Sequence, residues 1–254
     1  MANIEFFQFN CLDDNFGVLV HSGSTGQTAS IDAPDAAAVA AALDEKGWNL
    51  THIFVTHHHA DHTQGVAALK EKTNCHVIGP DNPSIANLDQ TVGDGDSFQF
   101  AGETVNVIAT PGHTLDMINF HMPAQKVAFT ADTLFALGCG RVFEGTPHQM
   151  WDSLEKLSKL PPETTIYCGH EYTLANAKFA LTVDGTNAEL ATRADEIEAL
   201  RAQNKPTLPT TLALELRTNP FLRPSDPVIR KNLGMEDASD ADVFAEIRAR
   251  KDRG

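Results

Sequence analysis

The 254 residues are enough for one large domain or a large and a small one, and a hydrophobic content of 42% supports a sizeable core. A formal net charge of −15 excludes the basic face that nucleic-acid binding requires. No apolar run approaches the ~20 residues that cross a bilayer, and Met1-Ala2-Asn3-Ile4-Glu5 lacks the basic start and apolar stretch of a secretory signal; the expectation is a soluble, cytoplasmic protein with neither nucleic acid nor membrane as partner.

In chain order, residues 4–9, 17–21 and 28–32 read as three strands. The alanine-rich 35–46 (DAAAVAAALDEK), with its acidic start, predicts a helix. Further strands are expected at 52–55, 75–78, 104–108, 127–130 and 165–168, with helices over 64–72 and 148–160 between them. Such interleaving predicts a layered α/β domain with helices outside the sheets. Past Glu171 the pattern turns helical, over 174–181, 187–204 and 240–250, interrupted at 206–209 and by a proline-punctuated loop at 219–224. A boundary near Tyr172 therefore divides an α/β domain, 1–172, from a smaller helical one, 173–254. The four cysteines, Cys11, Cys75, Cys139 and Cys168, include no C-x-x-C pair, which argues against a disulfide framework or a zinc knuckle. Cys168 reads as a small buried thiol despite standing two residues before His170.

The densest chemistry lies in VTHHHADH, residues 55–62, directly after the strand at 52–55. Alternate side chains of extended chain point the same way, so His57 and His59 can face one point while His58 faces away and supports the loop. Asp61 and His62 follow where the chain turns toward the next helix. Three more candidates, His113, Asp132 and His170, each stand just past a predicted strand. Strand carboxyl ends are where α/β sheets gather ligand sites, and scattered surface histidines would not share this placement. His21, His52, His76, His121 and His148 do not, and read as ordinary residues. The set divides into His57, His59 and His113 for one ion, and Asp61, His62 and His170 for a second, with Asp132 and a hydroxide bridging. Imidazole and carboxylate suit Zn, Fe or Mn. Water between two divalent ions loses a proton near neutral pH, giving a nucleophile without a side-chain base.

Taken in order, T-H-H-H-A-D-H, T-P-G-H-T, T-A-D-T-L-F and Y-C-G-H-E-Y resemble the metallo-β-lactamase superfamily, and within it the glyoxalase II (hydroxyacylglutathione hydrolase) family. The resemblance extends across essentially the whole chain. It implies a four-layer αββα sandwich with a dinuclear site at its edge and a C-terminal helical domain. It also implies hydrolysis of S-D-lactoylglutathione and other 2-hydroxyacylglutathiones to glutathione and D-lactate or its counterpart, the second step of methylglyoxal detoxification. Two divalent ions, zinc first, would fall on the seven ligands, with Asp61 and Asp132 catalytic and the bridging hydroxide attacking the thioester. Substrate contacts would fall on Tyr172, Asn176, Arg141 (where the family commonly has Lys) and Phe143 (where it commonly has Tyr). In the basic stretch R-A-R-K-D, Arg248 and Lys251 would take a glutathione carboxylate; they are three apart, hence on one helix face. The partner implied is a small-molecule glutathione thioester substrate, and the chain is expected to be a monomer. The rival readings are a mono-iron glutathione persulfide dioxygenase, a β-lactamase, and a non-catalytic module that kept the fold.

Overall fold

A computed structural model describes residues 3–254. The chain forms two compact units, Met1–Ala109 with Asp116–Phe129, and Thr110–Leu115 with Thr130–Gly254.

The first unit holds a six-stranded sheet in the order β1 (Ile4–Cys11), β2 (Asn15–Ser22), β3 (Thr28–Ile31), β4 (His52–Phe54), β5 (His76–Gly79), β6 (Gln90–Thr91). Strands β1 to β3 pair antiparallel and β3 to β6 parallel, so the sheet is mixed. Helix α1 (Ala36–Lys46) makes the crossover from β3 to β4. Asp35 starts it by accepting from the Ala37 and Ala38 amides, and Gly47, at φ 67°, ends it in the left-handed region that glycine tolerates. Its buried face, Val39, Ala42 and Leu43, packs with Val66 and Leu69 of α3 (Val66–Thr73) over Leu19, Ile53 and Val77 of the sheet. Burying each of the larger aliphatic side chains contributes about 1.5–3 kcal/mol.

The expected helix over 64–72 is α3. A single turn, α2 (Ala60–Thr63), precedes α3, and Gly65 separates them. A Cβ at Gly65 would lie 2.8 Å from the Ala33 carbonyl oxygen, and the Gly65 amide donates to that same oxygen at 2.9 Å. This close approach breaks the helix and puts Asp61 and His62 on their own turn.

Four antiparallel strands follow in the order β10 (Val127–Ala131), β9 (Ile118–Met122), β8 (Glu103–Ala109), β7 (Ser97–Phe100). Within the first unit they are joined to the mixed sheet by aromatic packing. Phe54 of β4 meets Phe98, Phe100 and Phe120 with ring centroids 5.0, 5.3 and 5.5 Å apart, within the usual range for aromatic pairs.

The second unit begins where β10 ends. It contains the short hairpin β11 (Leu134–Phe135) and β12 (Gly138–Cys139), helix α4 (Pro147–Ser158), and strand β13 (Thr165–Cys168) paired with β14 (Thr210–Thr211). The remaining helices are α5 (Thr173–Asp184), α6 (Ala188–Ala202), α7 (Leu212–Thr218), α8 (Pro227–Leu233) and α9 (Asp240–Arg253). Thr146 and Gln149 close a reciprocal capping box at the start of α4. Small residues let α5 and α6 approach, and Ala177, Ala180, Leu190, Ala194 and Ile197 share one core with Leu137 of the hairpin turn. A second cluster joins Trp151, Phe179, Phe221 and Phe244. The four cysteines are free buried thiols, and burial pushes the Cys168 thiol up, as its reading as an inert core residue requires. Among the described residues no helix is long and apolar enough to cross a membrane.

Candidate metal centre

In the first unit the loop after β4 is organised by a residue the sequence reading passed over. Asp32 follows β3 with φ 57° and is 4% exposed. Its Oδ1 accepts from the Thr56 amide at 2.7 Å, while Oδ2 accepts from Thr56 Oγ1 at 2.9 Å and from His62 Nδ1 at 2.7 Å. Because a carboxylate only accepts, the His62 proton sits on Nδ1 and Nε2 keeps its lone pair. The Thr56 hydroxyl, its proton committed to Asp32, accepts from His57 Nδ1 at 3.0 Å and imposes the same tautomer there. The His57 ring lies 4.8 Å from that of His59 and 4.2 Å from that of His62. His58 turns to Asp116, with Nδ1 at 2.9 Å from Oδ1, in its expected supporting role. Asp61 Oδ2 stands 3.6 Å from His62 Nε2 and accepts from Asn15 Nδ2 at 3.2 Å. Asn15, like Asp32, was not among the expected residues. Its only signal was a place at the mouth of a strand beside the loop.

In the second unit His113, Asp132 and His170 converge. Gly112, at φ 152°, admits Met150, whose Cβ would lie 2.8 Å from any side chain placed there, and so brings His113 inward. His113 Nδ1 donates to the Arg141 carbonyl at 2.9 Å, which again leaves Nε2 as the lone-pair nitrogen. Asp132 follows Ala131, held at φ 39°, and its Oδ2 lies 3.4 Å from His113 Nε2 and 3.2 Å from His170 Nε2. A lone pair aimed at a carboxylate oxygen is repulsive unless a cation stands between them. The donor set therefore fits divalent metal: two buried imidazoles turn Nε2 toward an acceptor-only oxygen, and His113 has its Nδ1 committed elsewhere.

The expected substrate contacts divide by exposure. Arg141, Phe143 (61% exposed) and Tyr172 are open to solvent; Phe143 packs beside the His113 ring and Tyr172 stacks on His170 at 4.8 Å. Asn176 and Arg248 turn inward. Asn176 is 2% exposed and spends its amide on the Ala136 carbonyl at 2.9 Å. Arg248 is 4% exposed; one guanidinium nitrogen donates to the Cys139 carbonyl at 3.0 Å and another to Asp252 at 2.8 Å, with Phe221 beneath. Lys251, half-buried, holds Nζ over the Phe179 ring. Burial, then the neighbouring Arg248 guanidinium, brings its ammonium down to about 8.

Residues 11–170 match the metallo-β-lactamase superfamily, and residues 171–254 match the hydroxyacylglutathione hydrolase C-terminus. The hydroxyacylglutathione hydrolase of Mesorhizobium japonicum is 59% identical over 251 residues, 98% of each chain, and that of Rhizobium johnstonii is 58% identical over 254 residues, 99% of each. Among solved structures, ETHE1 from Myxococcus xanthus superposes with a TM-score of 0.70 at 28% identity, over 96% of this chain and 90% of its own. The BLEG-1 B3 metallo-β-lactamase, at 20% identity and a TM-score of 0.67 over 86% of this chain and all of its own, shares the fold. With both family segments present in order and full-length relatives at 59% and 58% identity, the chain belongs to the hydroxyacylglutathione hydrolase family of the metallo-β-lactamase superfamily.

Proposed function

We infer that this chain is a thiolester hydrolase that cleaves S-D-lactoylglutathione to glutathione and D-lactate. The observation that carries the reading is full-length identity of 59% to a hydroxyacylglutathione hydrolase, together with the presence of all seven His and Asp candidates in this sequence. We assign His57, His59 and His113 to one divalent ion, Asp61, His62 and His170 to a second, and Asp132 to both, with zinc as the first candidate. Residues 1–172 act as the catalytic domain and 173–254 as the substrate-binding domain.

When bound, such ions polarise a carbonyl and supply hydroxide at neutral pH. The chain's own residues do the rest. Asp61, steadied by Asn15, orients the attacking water. Thr56 and Asp32 keep His57 and His62 in the tautomer that presents Nε2. Glutathione departs as a thiolate, whose parent thiol has a pKa of only ~8.5, so little general-acid help is required. Tyr172 and Phe143 offer exposed aromatic faces to the substrate. Of the expected Arg248 and Lys251 pair, Arg248 is spent on the Cys139 carbonyl and Asp252, so Lys251, joined by Arg141, holds a glutathione carboxylate against the negative charge of the whole protein. Every proposed contact comes from one chain, so a monomer suffices, and free buried cysteines suit a reducing cytosol.

The test is direct. Purified protein given S-D-lactoylglutathione is expected to release free thiol without consuming oxygen. Oxygen uptake driven by glutathione persulfide, with no thioester cleavage, would overturn the assignment.

The state of Lys251 adds a pH signature. Its charged form persists below about 8 and is lost above, so attraction for a carboxylate weakens as pH rises. A charge-assisted hydrogen bond contributes about 1.5–3 kcal/mol, and its loss lowers kcat/KM about 10–100-fold on the alkaline side. The K251R variant, whose guanidinium stays charged, should flatten that fall. An unchanged alkaline limb in K251R would remove Lys251 from substrate binding.

A further inference from the structure

The turn between β11 and β12 is bound at four carbonyls and one amide by side chains distant in sequence. Asn219 Nδ2 donates to the Phe135 carbonyl at 3.1 Å and to the Gly138 carbonyl at 3.0 Å. Asn176 takes the Ala136 carbonyl, Glu215 Oε2 accepts the Leu137 amide at 2.8 Å, and Arg248 takes the Cys139 carbonyl. The Asn219 amide also meets Glu215 Oε2 at 3.1 Å, which ties two of these groups to each other. Glu215 is wholly buried and anchored in turn by Arg193 and by Thr210 Oγ1 at 2.8 Å.

The turn needs such holding. Leu137 is buried with φ 55°, a left-handed conformation that costs a non-glycine residue energy and persists only where its surroundings impose it. Gly138 must lack a side chain, because a Cβ there would lie 2.4 Å from Asn176 Nδ2. The strand leaving the turn then runs against the metal ligands. The Gly140 amide donates to the Thr133 carbonyl at 3.2 Å, and a Cβ on Gly140 would lie 1.9 Å from the Asp132 carbonyl oxygen. One residue on, the Arg141 carbonyl receives His113 Nδ1.

We propose that Asn176, Glu215 and Asn219 are positioning residues that clamp the β11–β12 turn, so that its outgoing strand fixes the backbone of Asp132 and the ring of His113 for metal binding. This rests on the ligand assignment made above, and it gives Asn176 a role different from direct substrate contact. Arg248 contributes at the end of the same turn. Nothing in the clamp touches substrate. It acts through the Arg141 carbonyl and the Asp132 main chain.

The experiment compares wild type, N176A and N219A by three readouts. Competition with a chelator of known zinc affinity measures metal binding, amide hydrogen exchange at Leu137 and Gly140 reads the turn without metal or substrate, and steady-state kinetics separates kcat from KM. The clamp predicts faster exchange at both amides, zinc affinity lower by about 10–100-fold, and a loss carried by kcat. N176A removes a single hydrogen bond and keeps the test available if N219A does not fold. Wild-type zinc affinity and wild-type exchange in N176A, with the change confined to KM, would overturn the clamp and return Asn176 to the substrate. Failure of wild type to bind zinc or to cleave S-D-lactoylglutathione would overturn the parent reading instead, and the exchange data would then still decide whether the turn is held.

Discussion

Asp132→Ala is expected to lower kcat/KM for S-D-lactoylglutathione by about three orders of magnitude. The side chain is 5% exposed, and its Oδ2 faces the Nε2 atoms of both His113 and His170. Each of those imidazoles belongs, in the proposed assignment, to a different ion. Removing the carboxylate withdraws the negative charge that offsets two adjacent cations and leaves two lone-pair nitrogens without the group they converge on. Metal polarisation and nucleophile generation together supply several kcal/mol of transition-state stabilisation. A loss of about 4 kcal/mol corresponds to about a thousandfold in rate. Elemental analysis should find clearly less than the wild-type metal content in the variant, and a thiol-release assay should give the rate. Asp132→Asn keeps the shape and one acceptor oxygen, so it should retain more metal than the alanine variant while still losing most activity. Stripping wild type with a chelator should abolish turnover, and added zinc should restore it. Full thioesterase activity in Asp132→Ala would end the dinuclear assignment.

Much of the candidate centre is legible because it follows one local rule: the proposed ligands stand just past strand ends. His57, His59, Asp61 and His62 follow β4, Asp132 follows β10, and His170 follows β13. The rule needs only a strand and the residues after it. Asp32 satisfies it equally, one residue past β3, but it was counted as the last residue of the strand, and a lone aspartate carries no motif. The clamp was beyond local reading altogether. Leu137 and Glu215 are 78 positions apart, and nothing in either neighbourhood announces the other. Sequence could name Asn176 and Arg248 as donors, but only packing decides that they face inward. Strand β9 lies outside the expected strands although Ile118, Phe120 and Met122 alternate with Asn119 and His121, the two-residue period of a strand; all five residues are buried, so the alternation does not divide a core face from a solvent face. The break at Gly65 likewise depends on Ala33, which local composition does not reveal.

Substitution of Asp32 separates stability from metal binding, and the two available variants should fail differently. In Asp32→Ala, the Thr56 amide, the Thr56 hydroxyl and His62 Nδ1 lose their acceptor inside the protein. Each stranded donor costs about 1–3 kcal/mol, and alanine at φ 57° adds about 1–2 kcal/mol of backbone strain. Even the low ends of these terms add to about 4 kcal/mol, a large part of the 5–15 kcal/mol that typically holds a domain together. The expected result is a marked fall in the urea midpoint. Asparagine tolerates the left-handed backbone and keeps an oxygen for the Thr56 amide, so Asp32→Asn should unfold much closer to wild type. Its amide nitrogen, however, faces the Thr56 hydroxyl and His62 with donors where the carboxylate accepted. His62 must then accept at Nδ1 and carry its proton on Nε2, the atom assigned to metal. Zinc affinity in Asp32→Asn should therefore drop about 10–100-fold, and added zinc should raise its melting temperature less than it raises that of wild type. Chelator competition and thermal melts with and without zinc measure both quantities on the same protein. Equal zinc affinity in wild type and Asp32→Asn would show that His62 does not need its Asp32 hydrogen bond to present Nε2, and that the carboxylate serves the fold alone.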